Sequence, residues 1–273
     1  MKLGTFWARA QAVRPTVHAI TNVVTVNDCA NMILAAWGAP TMAQDVREVE
    51  EITTLSDALV LNLGALAAQE AMLRAGKRAG VLGHPIVFDP VAAGASFLRG
   101  EISRRLLHEL SITVVRGNAS EIRALALGSE TTRGVEANEI DRVTEDNFEA
   151  SLVMLHEFAR RSRAVIALTG EIDLVADGTR AAVVRGGSAM MGRITGAGCM
   201  LTALIATLCG ASKDDPFGAT VAAVAAMNTA GQLAFEKVCE MQEGTASFRN
   251  RLIDEVSRLT ATQLDTHAHV ELY

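Results

Sequence analysis

Five short apolar runs recur along the chain, and each stops at a polar residue. Val17 to Ile20 stops at Thr21-Asn22, Ala58 to Leu61 at Asn62, and Ile86 to Phe88 at Asp89-Pro90. Ile112 to Val115 stops at Arg116-Gly117-Asn118, and Val165 to Leu168 at Thr169-Gly170-Glu171. Helix-like stretches separate them, at about 26–37, 66–80, 97–109, 118–127 and 145–162. Strands that are apolar throughout have both faces covered, which predicts a mostly parallel sheet between layers of helices. Ligands of such sheets bind beyond the carboxyl ends of the strands. Any one polar residue after a strand could be an ordinary loop residue. Five together, with an acid and an arginine among them, predict one polar rim.

Beyond the fifth run the pattern changes. Ile172 to Ala176, then Asp177-Gly178, then Arg180 to Val184 reads as a hairpin with an Asp-Gly turn. Three helices follow, at about 196–209, 214–239 and 245–260. The first is apolar on every side from Met200 to Leu208, as a buried helix is. The Ala-rich stretch Ala219 to Ala234 packs in the core or against another subunit. The polar residues from about 261 read as a loosely ordered tail. With 273 residues, 49% of them hydrophobic and no Pro/Ser/Gly linker, the chain reads as a single domain, 1–273.

Charge narrows the partners. A net charge of −6 argues against nucleic acid and anionic membranes, although a few local donors can still hold a nucleotide. No signal-peptide pattern opens the chain, and no apolar run is long enough to span a bilayer. The cysteines Cys29, Cys199, Cys209 and Cys239 form no CxxC pair, so free thiols in a reducing cytoplasm are expected.

The sharpest local feature is Thr195-Gly196-Ala197-Gly198-Cys199, directly before the apolar helix. Backbone N–H groups of Gly196, Ala197 and Gly198 at a helix start make an anion hole, suited to a phosphoryl group in transfer. A tight loop without a ligand is the bland alternative. The turn is neither a P-loop nor a dinucleotide fingerprint, which needs a third glycine where Leu201 stands. Cys199 falls in the first helical turn, where a thiol pKa is lowered, and could take a proton from an attacking alcohol. Cys29, Cys209 and Cys239 read as small buried hydrophobes. Asn118-Ala119-Ser120-Glu121 has capping-box spacing. It could equally place the Glu121 carboxylate, with that of Asp89, near a metal that accompanies a nucleotide. The six histidines form no constellation.

Taken in order, His18-Ala19-Ile20-Thr21-Asn22, Asp89-Pro90-Val91, Arg116 to Glu121, Thr169-Gly170-Glu171 and Thr195 to Cys199 resemble the hydroxyethylthiazole kinase family of the thiamine pathway, from about residue 10 to 260. The resemblance implies a ribokinase-like three-layer α/β/α fold, ATP as cosubstrate and Mg²⁺ as cofactor. It implies a homotrimer with active sites between subunits, and 4-methyl-5-(2-hydroxyethyl)thiazole as acceptor. By position it implies Met42, Asn22 and Gly196 at the thiazole, Arg116 and Thr169 at the ATP phosphates, Asp89 and Glu121 at the metal, and Cys199 beside the attacking hydroxyl. Related ribokinase-like kinases usually carry Asp at the cysteine position, which argues against a hydroxymethylpyrimidine kinase. A dehydratase of damaged nicotinamide cofactors is a third relative, and a non-catalytic binding protein on the same fold is the alternative from a different class. Two positions depart from the family pattern. The loop before Met42 is one residue shorter, and Ala92 stands where glycine is usual.

Overall fold

The computed structural model describes residues 1–128 and 143–273. Among them nine strands join one sheet: β1 (Thr16–Ile20), β2 (Ala39–Thr41), β3 (Ala58–Asn62), β4 (Ile86–Asp89), β5 (Val114–Asn118), β6 (Val165–Thr169), β7 (Asp173–Ala176), β8 (Ala181–Arg185) and β9 (His269–Leu272). The spatial order is β2-β1-β3-β4-β5-β6-β7-β8-β9. Strands β1 to β6 run parallel, and β7, β8 and β9 add antiparallel at one edge.

Side-chain size alternates with the pleat. Val17, Ala19, Val60, Val87, Val114, Ala167, Val175 and Ala182 fall in one core, while Ile20, Leu59, Leu61, Ile86, Phe88, Ile166 and Leu168 fall in the other. The small face lets helices approach closely. It carries α1 (Gly4–Val13), α2 (Val26–Ala35), α8 (Ala197–Ala211), α9 (Pro216–Glu240) and α10 (Thr245–Arg258). The large face carries α4 (Gln69–Leu82), α5 (Phe97–Glu109), α6 (Ala119–Leu127) and α7 (Phe148–Ser162). Helix α8 is buried from Met200 to Gly210 and touches β1, β3 and β4 on one side and α9 on the other. Each large apolar side chain buried this way stabilises the fold by roughly 1.5–3 kcal/mol. That packing carries the amino end of α8 to the carboxyl edge of the central strands.

The expected five strands form, with one shifted. Strand β5 begins at Val114 rather than Ile112 and continues through Arg116 to Asn118, because those residues extend the ladder opposite Ala167 to Thr169. The hairpin turn spans four residues, with Asp177 Oδ1 accepting from the N–H groups of Thr179 and Arg180 at 2.8 and 2.6 Å. The tail from 261 is ordered, contrary to expectation. Helix α11 (Ala261–His267) starts at a Thr260–Gln263 capping box, and β9 completes the sheet on β8. Its side chains are mostly exposed, so main-chain pairing rather than burial holds it. Helices α1 and α3 (Val49–Thr54) and the edge strand β2 were also not expected from the pattern. The Ala-rich part of α9 is buried within the chain.

Candidate active site

Gly196 opens α8 at φ +86°, a conformation glycine adopts without steric cost. A Cβ there would lie 2.5 Å from Thr25 Cγ2, and a Cβ on Gly198 would overlap the Arg116 guanidinium. The turn is therefore wedged between the start of α2 and the end of β5. The first N–H groups of α8, which lack intrahelical acceptors, face this rim.

Cys199 follows, half-buried. Its Sγ accepts from Asn62 Nδ2 at 3.2 Å and from Asn22 Nδ2 at 3.5 Å. The second Asn62 amide proton goes to Asp89 Oδ2 at 3.0 Å, and Thr202 Oγ1 donates to the same oxygen at 2.9 Å. Arg116 Nη1 lies 3.8 Å from that oxygen, and Arg116 Nη2 donates to Thr169 Oγ1 at 2.5 Å. Strand ends and turn thus meet as the sequence implies. Asn62 joins thiol to carboxylate, a part assigned to neither it nor Thr202 beforehand. The available signals were the position of Asn62 at a strand end and that of Thr202 three residues after Cys199, on the same helix face.

Electrostatics separate the two acids of the rim. Asp89 is fully buried, and Oδ1 has no hydrogen-bond partner among the described residues. Burial pushes its pKa up to about 6. The Arg116 charge opposes that shift, and Glu121 adds to it. Glu121 instead closes the capping box of α6: Oε2 accepts from Asn118 N at 2.9 Å, and Asn118 Oδ1 accepts from Glu121 N at 2.9 Å. Its Oε1 accepts from Ala92 N at 2.8 Å. Both readings of the Asn118–Glu121 segment meet here, since the cap forms and Glu121 also lines the cavity.

The thiols depart from expectation. Burial raises the Cys199 pKa, and the negative charge of Asp89 raises it further, against hydrogen bonds from Thr25 and Asn62. The helix start does not outweigh these, so the expected lowered pKa is corrected. Cys29 and Cys209 are buried and pushed up to about 12. Cys239 is exposed near the end of α9, not buried.

A cavity of about 730 Å³ runs from Asp89, Arg116 and the α8 turn past Thr169 to Gly186-Gly187 and Asn228. A second hollow, of about 490 Å³, is lined by Thr21, Val23, Gln44 and residues Gly64 to Ala68. Met42 follows β2, and its loop is pinned to β1. His18 Nε2 donates to Ala43 O at 2.9 Å, and Gln44 Nε2 donates to Thr21 O at 2.6 Å. His18 is a satisfied structural histidine, with Thr53 Oγ1 at 2.9 Å from Nδ1 and a pKa lowered by burial.

Asp89 and Glu121 make a sparse donor set for a metal. Among the described residues no three His, Cys, Asp or Glu side chains gather as a cage. Two carboxylates, one with a buried unpartnered oxygen, fit a hard cation that keeps waters and phosphate oxygens as its other ligands.

Known proteins resemble this chain along nearly its whole length. The profile of the hydroxyethylthiazole kinase family matches residues 8–262. The hydroxyethylthiazole kinase of Clostridium acetobutylicum is 45% identical over 265 residues, covering 96% of this chain and 97% of that protein. The solved hydroxyethylthiazole kinase of Pyrococcus horikoshii superposes with a TM-score of 0.86 at 33% identity, over 99% of this chain and 98% of that one. A ribokinase-like superfamily protein of Enterococcus faecalis shares the fold, with a TM-score of 0.61 at 11% identity over 92% of this chain and 89% of that one. The sheet and its helical layers are accordingly ribokinase-like, and the chain belongs to the hydroxyethylthiazole kinase family.

Proposed function

We propose that this single-domain chain transfers the γ-phosphoryl group of ATP to the hydroxyl of 4-methyl-5-(2-hydroxyethyl)thiazole, in thiamine biosynthesis or salvage. The observation that carries the reading is the position of Cys199. Two asparagines hold its sulfur beside Asp89, at the head of a helix whose free N–H groups line a cavity large enough for a nucleotide.

The attacking alcohol oxygen bonds to the γ-phosphorus as the bond from that phosphorus to the ADP oxygen breaks, and the alcohol proton passes to an oxygen of the transferred phosphoryl group. Arg116 and Thr169 hold the ATP phosphates. The N–H groups of Gly196, Ala197 and Gly198 balance charge on the transferring group. Because burial keeps the thiol protonated near neutral pH, Cys199 acts chiefly by orienting the hydroxyl. A loose transition state needs little basicity and much positioning. Mg²⁺, when bound, neutralises charge on the phosphates. Asp89 would hold it through the free Oδ1, and Glu121 through water, since each of its oxygens already holds an N–H. Asn22, which donates to Cys199 Sγ, and Met42, in the loop that Gln44 and His18 pin to β1, contact the thiazole.

Val23 is 85% exposed at the edge of the hollow lined by Thr21 and Gln44, and Val24, next in sequence, is 70% exposed. Apolar exposure beside this hollow suits a subunit contact, and the family resemblance makes that contact one of a homotrimer in which a neighbouring subunit closes the thiazole site. A cytoplasmic enzyme fits the four free cysteines. Among the described residues no helix is long and apolar enough to cross a membrane.

The test is the purified protein with ATP, Mg²⁺ and the thiazole alcohol, with the product read by mass. The phosphate ester is expected from the wild type. Cys199→Ala should be slower by about 10²-fold, the cost of a misplaced hydroxyl, yet active. Full turnover by Cys199→Ala would remove its role. Preference for the hydroxymethylpyrimidine, or ADP formed without any alcohol, would overturn the thiazole assignment.

A further inference from the structure

The nucleotide cavity extends well beyond Arg116 and Asp89, and its far end has a different chemistry. Asp173, at the start of β7, and Asn228, midway along α9, are both buried and lie 55 residues apart in sequence. Asp173 Oδ1 accepts from Gly170 N at 2.9 Å, and Oδ2 accepts from Asn228 Nδ2 at 2.8 Å. An amide whose nitrogen is claimed by a carboxylate has its orientation settled, so Oδ1 is the outward atom. That oxygen accepts no hydrogen bond among the described residues.

The chain also leaves the oxygen uncovered. Gly186 and Gly187 lie over Asn228 at φ +126° and +80°. A Cβ on Gly187 would stand 3.2 Å from Asn228 Oδ1. Beside it, Met191 packs onto Gly231, one turn further along α9, and supplies an apolar wall. The cation lining this cavity is Arg116, at the Asp89 end. An oriented neutral acceptor beside an apolar surface and backed by the Asp173 carboxylate suits a nucleoside hydroxyl or amino group and not a phosphate.

We propose that Asn228, oriented by Asp173, accepts a hydrogen bond from the nucleoside half of the bound nucleotide and thereby selects a donor on that half. Asn228 is then a specificity residue and Asp173 a positioning residue. The inference rests on the proposed use of ATP at this site. The donor is a ribose hydroxyl or the amino group of the base.

The test compares ATP, inorganic tripolyphosphate, 2′-deoxy-ATP, 3′-deoxy-ATP and ITP, by calorimetric binding and by turnover on the thiazole alcohol. Asn228→Ala is expected to weaken ATP by about tenfold, the worth of one such hydrogen bond, with kcat little changed and tripolyphosphate unaffected. The penalty should vanish for one analogue: a deoxy nucleotide if the ribose is read, ITP if the base is read. Asp173→Asn keeps a carbonyl for Gly170 N–H but turns a donor toward Asn228. The amide must then flip and present Nδ2 to the cavity, so ATP should weaken while both side chains keep their size. A merely structural pair would not give that analogue-specific pattern. Equal loss for tripolyphosphate, no loss in either variant, or a penalty that persists with every analogue would overturn the proposal. If wild-type protein binds neither ATP nor tripolyphosphate, the ATP reading itself fails, and this inference with it.

Discussion

Asp89 and Glu121 stand on the same rim, are equally acidic in sequence and are both buried, at 1% and 7% exposure. Their surroundings differ. Each Glu121 oxygen accepts a backbone N–H, from Ala92 and from Asn118, so the carboxylate is consumed in holding two loops together. Among the described residues Asp89 has two side-chain donors on one oxygen and none on the other. A buried carboxylate that is fully hydrogen-bonded fastens structure, whereas one left partly unsatisfied is costly in the free protein and relieved by a ligand. The cleft is therefore built as a strained end at Asp89 beside a braced end at Glu121, and mutations should separate the two.

The largest separation is expected at Asp89. Asp89→Asn keeps the side-chain volume and an oxygen for Asn62 and Thr202, but removes the charge that would face the metal. Turnover should fall by about 10²–10³-fold. Stability should respond through its pH dependence. The folded-state pKa of Asp89, about 6, lies above its ordinary value of 3.8. Between those values the folded protein holds more protons than the unfolded chain, so this group lowers stability as pH rises through the window, and its full penalty stands above about 6. Asp89→Asn should flatten that slope, on top of a pH-independent cost for the buried amide N–H that replaces Oδ1. Asp173, also raised by burial, keeps part of the slope. Thermal melts across this range, run beside activity assays, check both signs. A variant with wild-type turnover and an unchanged slope would erase the contrast with Glu121.

The sequence makes this contrast only half legible. The apolar runs and their polar ends placed the parallel strands and brought Asp89, Arg116, Thr169 and Cys199 to one edge, because a period of two and a strand-end rule are local properties. The partners that decide what each group does come from afar. Asn62 reaches Cys199 across 137 residues, and Thr202 reaches Asp89 across 113. No local pattern marks such pairs. The thiol of Cys199 illustrates the cost of reading locally: its place at a helix start pointed to a lowered pKa, but burial and the Asp89 charge prevail. Strand β9 carries no apolar signature because an edge strand held by main-chain bonds to β8 can have polar side chains.

At the braced end the expected effect is on stability first. Glu121→Gln leaves one oxygen for two N–H donors and sets an amide nitrogen against the other. A buried donor without an acceptor costs about 1–3 kcal/mol. The melting temperature should drop by about 2–4 °C per kcal/mol for a chain of this size. Turnover at saturating ATP should fall far less than in Asp89→Asn. Calorimetry and steady-state kinetics on the two variants side by side test the division. Loss of turnover without loss of stability would mean that Glu121 belongs to the strained end after all.

The smallest effect sharpens the same boundary from the loop that Glu121 holds. Ala92 has φ +58° and is buried, and its N–H is the one bonded to Glu121 Oε1. A left-handed alanine costs roughly 1–2 kcal/mol, which glycine avoids. Glycine in turn adds about 0.4–1 kcal/mol of unfolded-chain entropy. The balance favours glycine slightly, so Ala92→Gly should raise the melting temperature by about a degree or two and leave turnover within twofold. The alanine is tolerated because the Glu121 bond holds the loop in place. In a Glu121→Gln background, with that brace weakened, the gain from Ala92→Gly should therefore shrink, as the loop relaxes away from the left-handed conformation. A double-mutant cycle read by calorimetry gives the coupling. Strict additivity would show that the strain at Ala92 and the carboxylate of Glu121 are independent, and that the braced end is two separate features.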